Sequence, residues 1–314
     1  MTGFKGTREA FAAALLDMSE TRSDLVVLSP DSLKAMRAVP FGEKYPERYI
    51  ECGIAEQCAV DAAAGLASAG LTPFIGTYCG FLTMRACEQM RTFVGYTNQN
   101  VKFVGVNAGL LGGEREGVTH QFYEDLSIVS SFPNFTIFTP ADPAQCYHAV
   151  RLAADTPGPV YIRAGSGREP DVYSPDAPFS PTGITVWANY GSDAVLFSCG
   201  FVLDRVRAAA ELLHQAGIEV TVADINILYG RDPSEILRVM ALSPQLFTVE
   251  DHNVNGGLGA YISRLACENQ PARVTRLALH SYGESGAAKE LADAYGFAPE
   301  AIADRVRGAL GGAF

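Results

Sequence analysis

The residues best suited to chemistry fall where strand-like segments give way to helix-like ones. In YIECGIAEQCAVDAAAGLASAG a strand leads through Gly53 into a small-residue helix, so Glu56 stands close to the helix N-terminus. A glutamate there complements the helix dipole, which by itself is worth roughly a few tenths of a kcal/mol. Tyr78 and Phe81, in TYCGFLTMRACEQ, lie at the end of a strand and the start of a helix, where aromatic residues ordinarily fill a core. His120, in GVTHQ, occupies a glycine-containing loop just ahead of FYEDLSI. It is one of five histidines, and imidazole is the side chain that exchanges protons near neutral pH. Asp31 and Lys34 in SPDSLKAM and Arg8 in GTREAF are charges at element ends, readable as site residues or as caps and solvated charges.

The elements that must position these groups alternate along the whole chain of 314 residues. DLVVLSPD, TPFIGTY, NVKFVGVNAG, FTIFTP and PVYIRAG read as strands, and CAVDAAAGLASAG and CEQMRTFVGYTN as helices. Asp142-Pro143 opens a further helix with an N-cap followed by proline. Such alternation predicts an α/β fold with largely parallel sheets and ligands at the strand C-terminal ends. EPDVYSPDAPFSP, with four prolines in 13 residues, reads as an extended linker. Beyond it come SDAVLFSCG, IEVTVADI and QLFTVEDH as strands, with helices between them and one closed by Gly217. The division that follows is a first domain over residues 1–170, a linker over 171–186 and a second domain over 187–314. The second domain offers no catalytic cluster. Its GGLGAY stretch reads as a tight turn into a helix.

Charge and cysteine content narrow the partners. With 24 basic and 35 acidic residues the net charge is −11, and no Lys/Arg stripe offers a footprint for nucleic acid or an anionic membrane. No apolar run approaches the roughly 20 residues that span a bilayer. Seven dispersed cysteines without a CxxC pair form neither a zinc pattern nor a disulfide framework. They read as reduced, mostly buried thiols of a cytoplasmic protein.

GIAEQ followed by its small-residue helix resembles the pyrimidine-binding domain of the transketolase family. So do TYCGFLTMRACEQMR, AGLLGGEREGVTHQFYEDLSI, FPNFTIFTPAD and GPVYIR, while FTVEDHNVNGGLGAYIS and HSYGESGAAKELADAYGF resemble its C-terminal domain. The likeness runs in order from about Thr7 to Leu310 and is nearest to stand-alone C-terminal halves of split transketolases. It implies two doubly wound α/β domains, a thiamine-diphosphate-binding pyrimidine domain followed by a transketolase C-terminal domain. It also implies that Glu56 hydrogen-bonds a ring nitrogen of the cofactor's aminopyrimidine, favouring the tautomer that deprotonates the thiazolium carbon. A carboxyl doing this should be shielded, and Ile54, Ala55 and Ala59 flank it. By the same resemblance Phe81 stacks on the aminopyrimidine, Tyr78 and Asp31 line its pocket, and His120 faces substrate as an acid/base. Arg8 and Lys34 fall where the family places substrate-pocket residues, and the GGLGAY helix where it places an oligomer interface.

The family holds the cofactor's diphosphate through Mg²⁺ on a GDG…N motif of a separate domain, and this sequence has no GDG. The resemblance thus implies an N-terminal partner subunit with those ligands, in an α2β2 assembly. Three positions depart from ordinary transketolases: Asn107 replaces a histidine, Glu116 replaces an aspartate in a segment one residue longer, and Ser166 replaces a phosphate-gripping arginine. Arg115 and Arg168 are near in sequence. The implied activity is transfer of a two-carbon ketol unit from a ketose to an aldose, with a sugar or sugar phosphate as substrate. The alternative is a β-type subunit of a 2-oxo acid dehydrogenase-like enzyme that passes a two-carbon acyl unit to a lipoyl carrier. A degenerate scaffold subunit would have no need of Glu56, Phe81 and His120.

Overall fold

The computed structural model describes residues 3–112 and 116–311. The first half runs α1 (Thr7–Ser19), β1 (Leu25–Ser29), α2 (Val39–Lys44), β2 (Tyr49–Glu51), α3 (Glu56–Ser68), β3 (Thr72–Tyr78) and α4 (Cys87–Gln89). It continues with β4 (Lys102–Val106), α5 (Gly109–Gly112), α6 (Asp125–Ser130), β5 (Thr136–Phe138), α7 (Pro143–Asp155) and β6 (Val160–Arg163). The second half holds β7 (Ile184–Asn189), β8 (Ala194–Ser198), α8 (Leu203–Gln215), β9 (Val220–Ile225), β10 (Ile227–Tyr229) and α9 (Ser234–Met240). After these come β11 (Gln245–Asn253), α10 (Gly257–Asn269), β12 (Arg273–Leu279), α11 (Ala288–Ala294) and α12 (Pro299–Gly311).

Continuous apolar runs such as LVVLS in β1 are buried along their whole length, as strands covered by helices on both faces must be. Side chains alternate between faces. Leu25 and Val27 join Phe11, Leu15 and Val150 in the layer under α1 and α7, whereas Val26 and Leu28 join Ala59, Ala63 and Met90 under α3 and the following helix. The first sheet has the order β10-β5-β6-β4-β3-β1-β2 and is parallel except for β10. Since β1 is followed by β2 on one side and β3 on the other, the strand order reverses between β1 and β3. A crevice opens there at the strand C-terminal ends. The second sheet, β12-β11-β8-β9-β7, is parallel except for β7.

Several details differ from the sequence reading. The helix expected in CEQMRTFVGYTN starts as α4 and widens into a π-turn over Met90–Gly95, and another π-turn, over Phe81–Arg85, precedes it. Thr83 Oγ1 donates at 2.9 Å to the Cys79 carbonyl, which a regular helix reserves for a backbone N–H. The proline-rich segment carries no helix or strand over 168–183, yet it is docked rather than loose. Asp142 caps α7 by accepting Gln145 N–H at 2.8 Å, and its other oxygen takes the N–H groups of Val172 and Tyr173 at 2.8 and 2.6 Å. The cysteines are all free, but only Cys79, Cys146 and Cys199 are buried; Cys58 and Cys267 are exposed on helix faces. Gly257 and Gly259 of GGLGAY are buried inside this chain, and the Leu258 and Gly259 N–H groups both bond the Glu250 carboxylate at 2.7 Å.

Candidate active site

The groups singled out in the first domain gather around the crevice between β1 and β3. Gly53, at φ 64°, turns the chain from β2 into α3, and Glu56 is the first helical residue, only 5% exposed. Tyr78 closes β3, and Phe81 begins the widened helix. Their rings lie 5.3 Å apart, and His120 stands edge-on to both, at 4.9 Å from Tyr78 and 5.3 Å from Phe81. His120 Nδ1 pairs with Thr119 Oγ1 at 2.9 Å. Phe122 backs the cluster, its ring 5.5 Å from Phe81. It fits only because residue 80 is glycine; a Cβ there would stand 2.0 Å from the Phe122 ring.

Glu56 faces a group that sequence reading passed over. Arg85 Nη1 donates to Glu56 Oε1 at 2.7 Å, and the same guanidinium lies 3.8 Å over the Phe81 ring. Glu56 and Phe81 therefore present an acceptor beside a flat aromatic face, and a planar, donor-bearing group already satisfies both. Ala59 is buried as expected of a shield, but Ile54 is 75% exposed because it stands in the turn ahead of the helix.

The far wall is built by three loops that follow strands. Thr7 accepts Gly165 N–H at 3.0 Å, and Glu169 takes both Thr7 N–H and Thr7 Oγ1, at 2.8 and 3.0 Å. These bonds fix the start of α1 against the loop after β6, which sets Arg8 beside Gly167 and next to the buried Ser166. Arg8 Nη1 donates to Ala35 O at 3.1 Å and ties in the loop after β1. Burial, with Arg37 adding to it, pushes the Arg8 guanidinium below its usual value, while Glu169, Tyr78 and Glu116 act the other way. Asn107 follows β4 at φ 55°; it is fully buried, and neither amide atom of its side chain has a partner among the described residues. Ser166 and the exposed Arg168 line a cavity of about 260 Å³ with Leu111, Glu169 and Phe201.

Asp31, at φ 53°, is exposed at the end of β1, and its N–H is held by Glu51 Oε1 at 2.7 Å. Glu51 also takes Gly53 N–H at 2.9 Å and the Tyr49 hydroxyl, so one carboxylate braces the turns that follow β1 and β2. Burial alone would raise it, but the bonds from Tyr49, Asp31 and Gly53 prevail and hold it below the usual carboxylate range. Lys34 and Glu116 are exposed, and Arg115 lies outside the described residues. Arg85, Glu51 and Glu169 were not singled out by sequence reading. The TMRACEQMR stretch held the only local signal, an arginine four residues after Phe81.

The profile of the transketolase pyrimidine-binding domain matches residues 5–167, and that of the transketolase C-terminal domain matches residues 185–302. The chain belongs to the transketolase family. Members of that family depend on thiamine diphosphate. This transketolase chain is 32% identical over 268 residues to an apulose-4-phosphate transketolase subunit of Phocaeicola vulgatus, covering 85% of itself and 86% of that protein. It is 30% identical to a putative transketolase C-terminal section of Methanocaldococcus jannaschii, over 96% of each chain. Among solved structures it is similar to a split-gene transketolase described as an inactive β4 tetramer, with a TM-score of 0.87, 33% identity and 98% of each chain covered. It is thus a transketolase subunit of the split, C-terminal type, and these likenesses favour that reading over the dehydrogenase alternative.

Proposed function

We propose that this chain is the pyrimidine-side subunit of a thiamine-diphosphate-dependent enzyme that moves a two-carbon ketol unit from a ketose to an aldose. Residues 1–170 form the cofactor-binding domain, 171–186 the linker and 187–314 the C-terminal domain. The observation that carries the reading is the pairing of Glu56 with the face of Phe81. Arg85 already makes the two contacts expected of an aminopyrimidine, a stack on Phe81 and a hydrogen bond to Glu56. The residues present therefore fit a flat, donor-bearing ring.

Thiamine diphosphate, when bound, supplies the thiazolium carbon that attacks a ketose. Glu56 holds or shares a proton at the pyrimidine nitrogen, with Phe81, Tyr78 and Asp31 lining the ring's pocket. His120 gives and takes protons at substrate hydroxyl and carbonyl oxygens. Arg8, Lys34, Asn107, Glu116, Ser166 and Arg168 form the substrate side. The name of the Phocaeicola relative supports a sugar phosphate in the reaction. The neutral Asn107 and Ser166 support an acceptor that is not gripped by a phosphate-binding arginine.

Diphosphate and Mg²⁺ ligands belong on an N-terminal partner subunit, in an α2β2 assembly. The exposed Ile54 beside Glu56 supports this, since a large apolar side chain left in solvent at the site calls for cover from outside the chain. The seven free thiols support a cytoplasmic setting. No helix among the described residues is long and apolar enough to cross a membrane. The test is reconstitution. The purified chain should bind thiamine diphosphate weakly and show no turnover, and a GDG-bearing subunit with Mg²⁺ should restore both. Full activity of the chain by itself would overturn the reading.

A further inference from the structure

The loop from Asn107 to Tyr123 carries three proposed substrate-side residues, Asn107, Glu116 and His120. It is closed at its base where Gly109 N–H donates to Phe122 O at 2.7 Å. Both arms above that closure are gripped by the second domain. On the first arm Asp251 Oδ2 accepts Leu111 N–H at 3.3 Å. Gly109, at φ 78°, leaves room for that carboxylate; a Cβ would stand 2.1 Å from the same oxygen. The other oxygen of Asp251 is fixed by Arg163 Nη1 at 2.8 Å, and this pair is at most 1% exposed.

On the second arm Tyr123 O accepts Asn253 N–H at 2.7 Å, and Tyr123 Oη accepts Gly283 N–H at 2.8 Å. Gln121 Nε2 donates to Glu284 O at 2.8 Å. Gly117 rests against Ser285, where a Cβ would meet the hydroxyl oxygen at 2.4 Å. His120 sits between these grips, one residue from Gln121.

We propose that the second domain is the positioning frame of this loop, with Asp251, the backbone of Gly283 and Glu284 and the Ser285 side chain as the groups that hold His120 toward substrate. The inference rests on the substrate-side role of His120. Asp251 and Tyr123 touch no reacting atom on this reading; they act through the loop. A proton-transfer group must be held closely, since a displacement of about 1 Å can cost on the order of a hundredfold.

Two conservative variants test it, Asp251→Asn on one arm and Tyr123→Phe on the other. In the free chain, amide exchange over residues 107–112 and 116–123 should quicken roughly tenfold in each, with α3 and β3 unchanged. With the partner subunit, thiamine diphosphate and Mg²⁺, kcat should fall roughly tenfold or more, while thiazolium proton exchange keeps the wild-type rate. On a His120→Ala background neither substitution should cost anything further, because both act through the same group. Unchanged amide exchange in both variants overturns the proposal. So does a loss of turnover by the same factor with and without His120, which is what a merely structural role gives. If Asp251→Asn does not fold, Tyr123→Phe, which removes a single hydroxyl, decides the matter. Normal turnover by His120→Ala would sink the role given to His120, and the exchange measurement would still uphold or overturn the frame.

Discussion

Both sheets reverse their strand order and so both own a crevice at their strand C-terminal ends, but the two crevices are used in opposite ways. In the first sheet the reversal between β1 and β3 leaves Tyr78, Phe81 and His120 only half-buried, and among the described residues no ring of the second domain is in contact with theirs. In the second sheet the reversal lies between β8 and β11, and the space beyond it is filled by Arg163 from the first domain. That guanidinium bonds Asp251 at 2.8 Å and Asp125 at 3.1 Å, lies near Gly200 and Phe201, and is 1% exposed. One crevice is left open, whereas the other holds part of the protein itself. The same topology thus yields a cleft or a joint, depending on whether a neighbouring domain supplies the occupant.

The sealed crevice should break in acid. His252 beside it is fully buried, with Nδ1 on Asn253 O at 2.9 Å. Its Nε2 has no hydrogen-bond partner among the described residues and lies 3.7 Å from Asp125. Burial pushes it down to about 4 in spite of the Asp125 charge, from an ordinary 6.5. The unfolded chain therefore takes up this proton first as pH falls, and stability is lost between about 6.5 and 4. The full effect is on the order of 3 kcal/mol. Urea unfolding at pH 7 and pH 4.5 should show a steeper loss for the wild type than for His252→Gln, and equal losses would remove the histidine from the account.

The open crevice should break at Glu56. Glu56→Gln keeps the size and a hydrogen bond to Arg85 but cannot share a proton with a ring nitrogen. Turnover of the reconstituted enzyme should fall on the order of a hundredfold with the fold intact. Thiazolium proton exchange should slow in parallel, and an unchanged exchange rate would show that another group activates the cofactor.

Substrate choice is the smallest and sharpest effect. A hydrogen bond to a charged group is worth roughly 1.5–3 kcal/mol, so replacing a phosphate-gripping arginine by Ser166 costs about tenfold in affinity. Ribose 5-phosphate should be a poorer acceptor than a matched unphosphorylated aldose in steady-state kinetics. Normal use of the phosphorylated acceptor, lost on Arg168→Ala or Arg115→Ala, would assign the phosphate to a neighbouring arginine. Normal use untouched by either change would show that Asn107 and Ser166 do not set the preference.

Much of the open crevice was legible in the amino-acid sequence alone. Alternating periodicity located the strands, Asp142-Pro143 marked the start of α7, and GIAEQ placed Glu56 at a helix start. These are local signals, carried by neighbours in sequence. The joint was not legible, because Arg163 and Asp251 meet across 88 positions, and nothing in GPVYIR or FTVEDH says that the two segments pair. The contact of Arg85 with Glu56 was hidden for a related reason. It depends on π-turns that shift the phase of the helix face, and no residue pattern announced them. Likewise the prolines of 169–181 signalled a stretch without helix or strand, but Asp142 holds that segment from outside it.

The strand β10 gives the joint a mechanical meaning. It belongs to the second half of the sequence, yet it pairs antiparallel with β5 and forms the outer edge of the first sheet. Without it, β5 would present a bare row of backbone donors and acceptors, the kind of edge along which chains stick together. Neither half is therefore a self-sufficient module, since the first takes its border strand from the second and supplies Arg163 in return. Heat or denaturant should meet this exchange of parts as one cooperative unit. A cut through the proline-rich connector would leave two incomplete pieces rather than two domains.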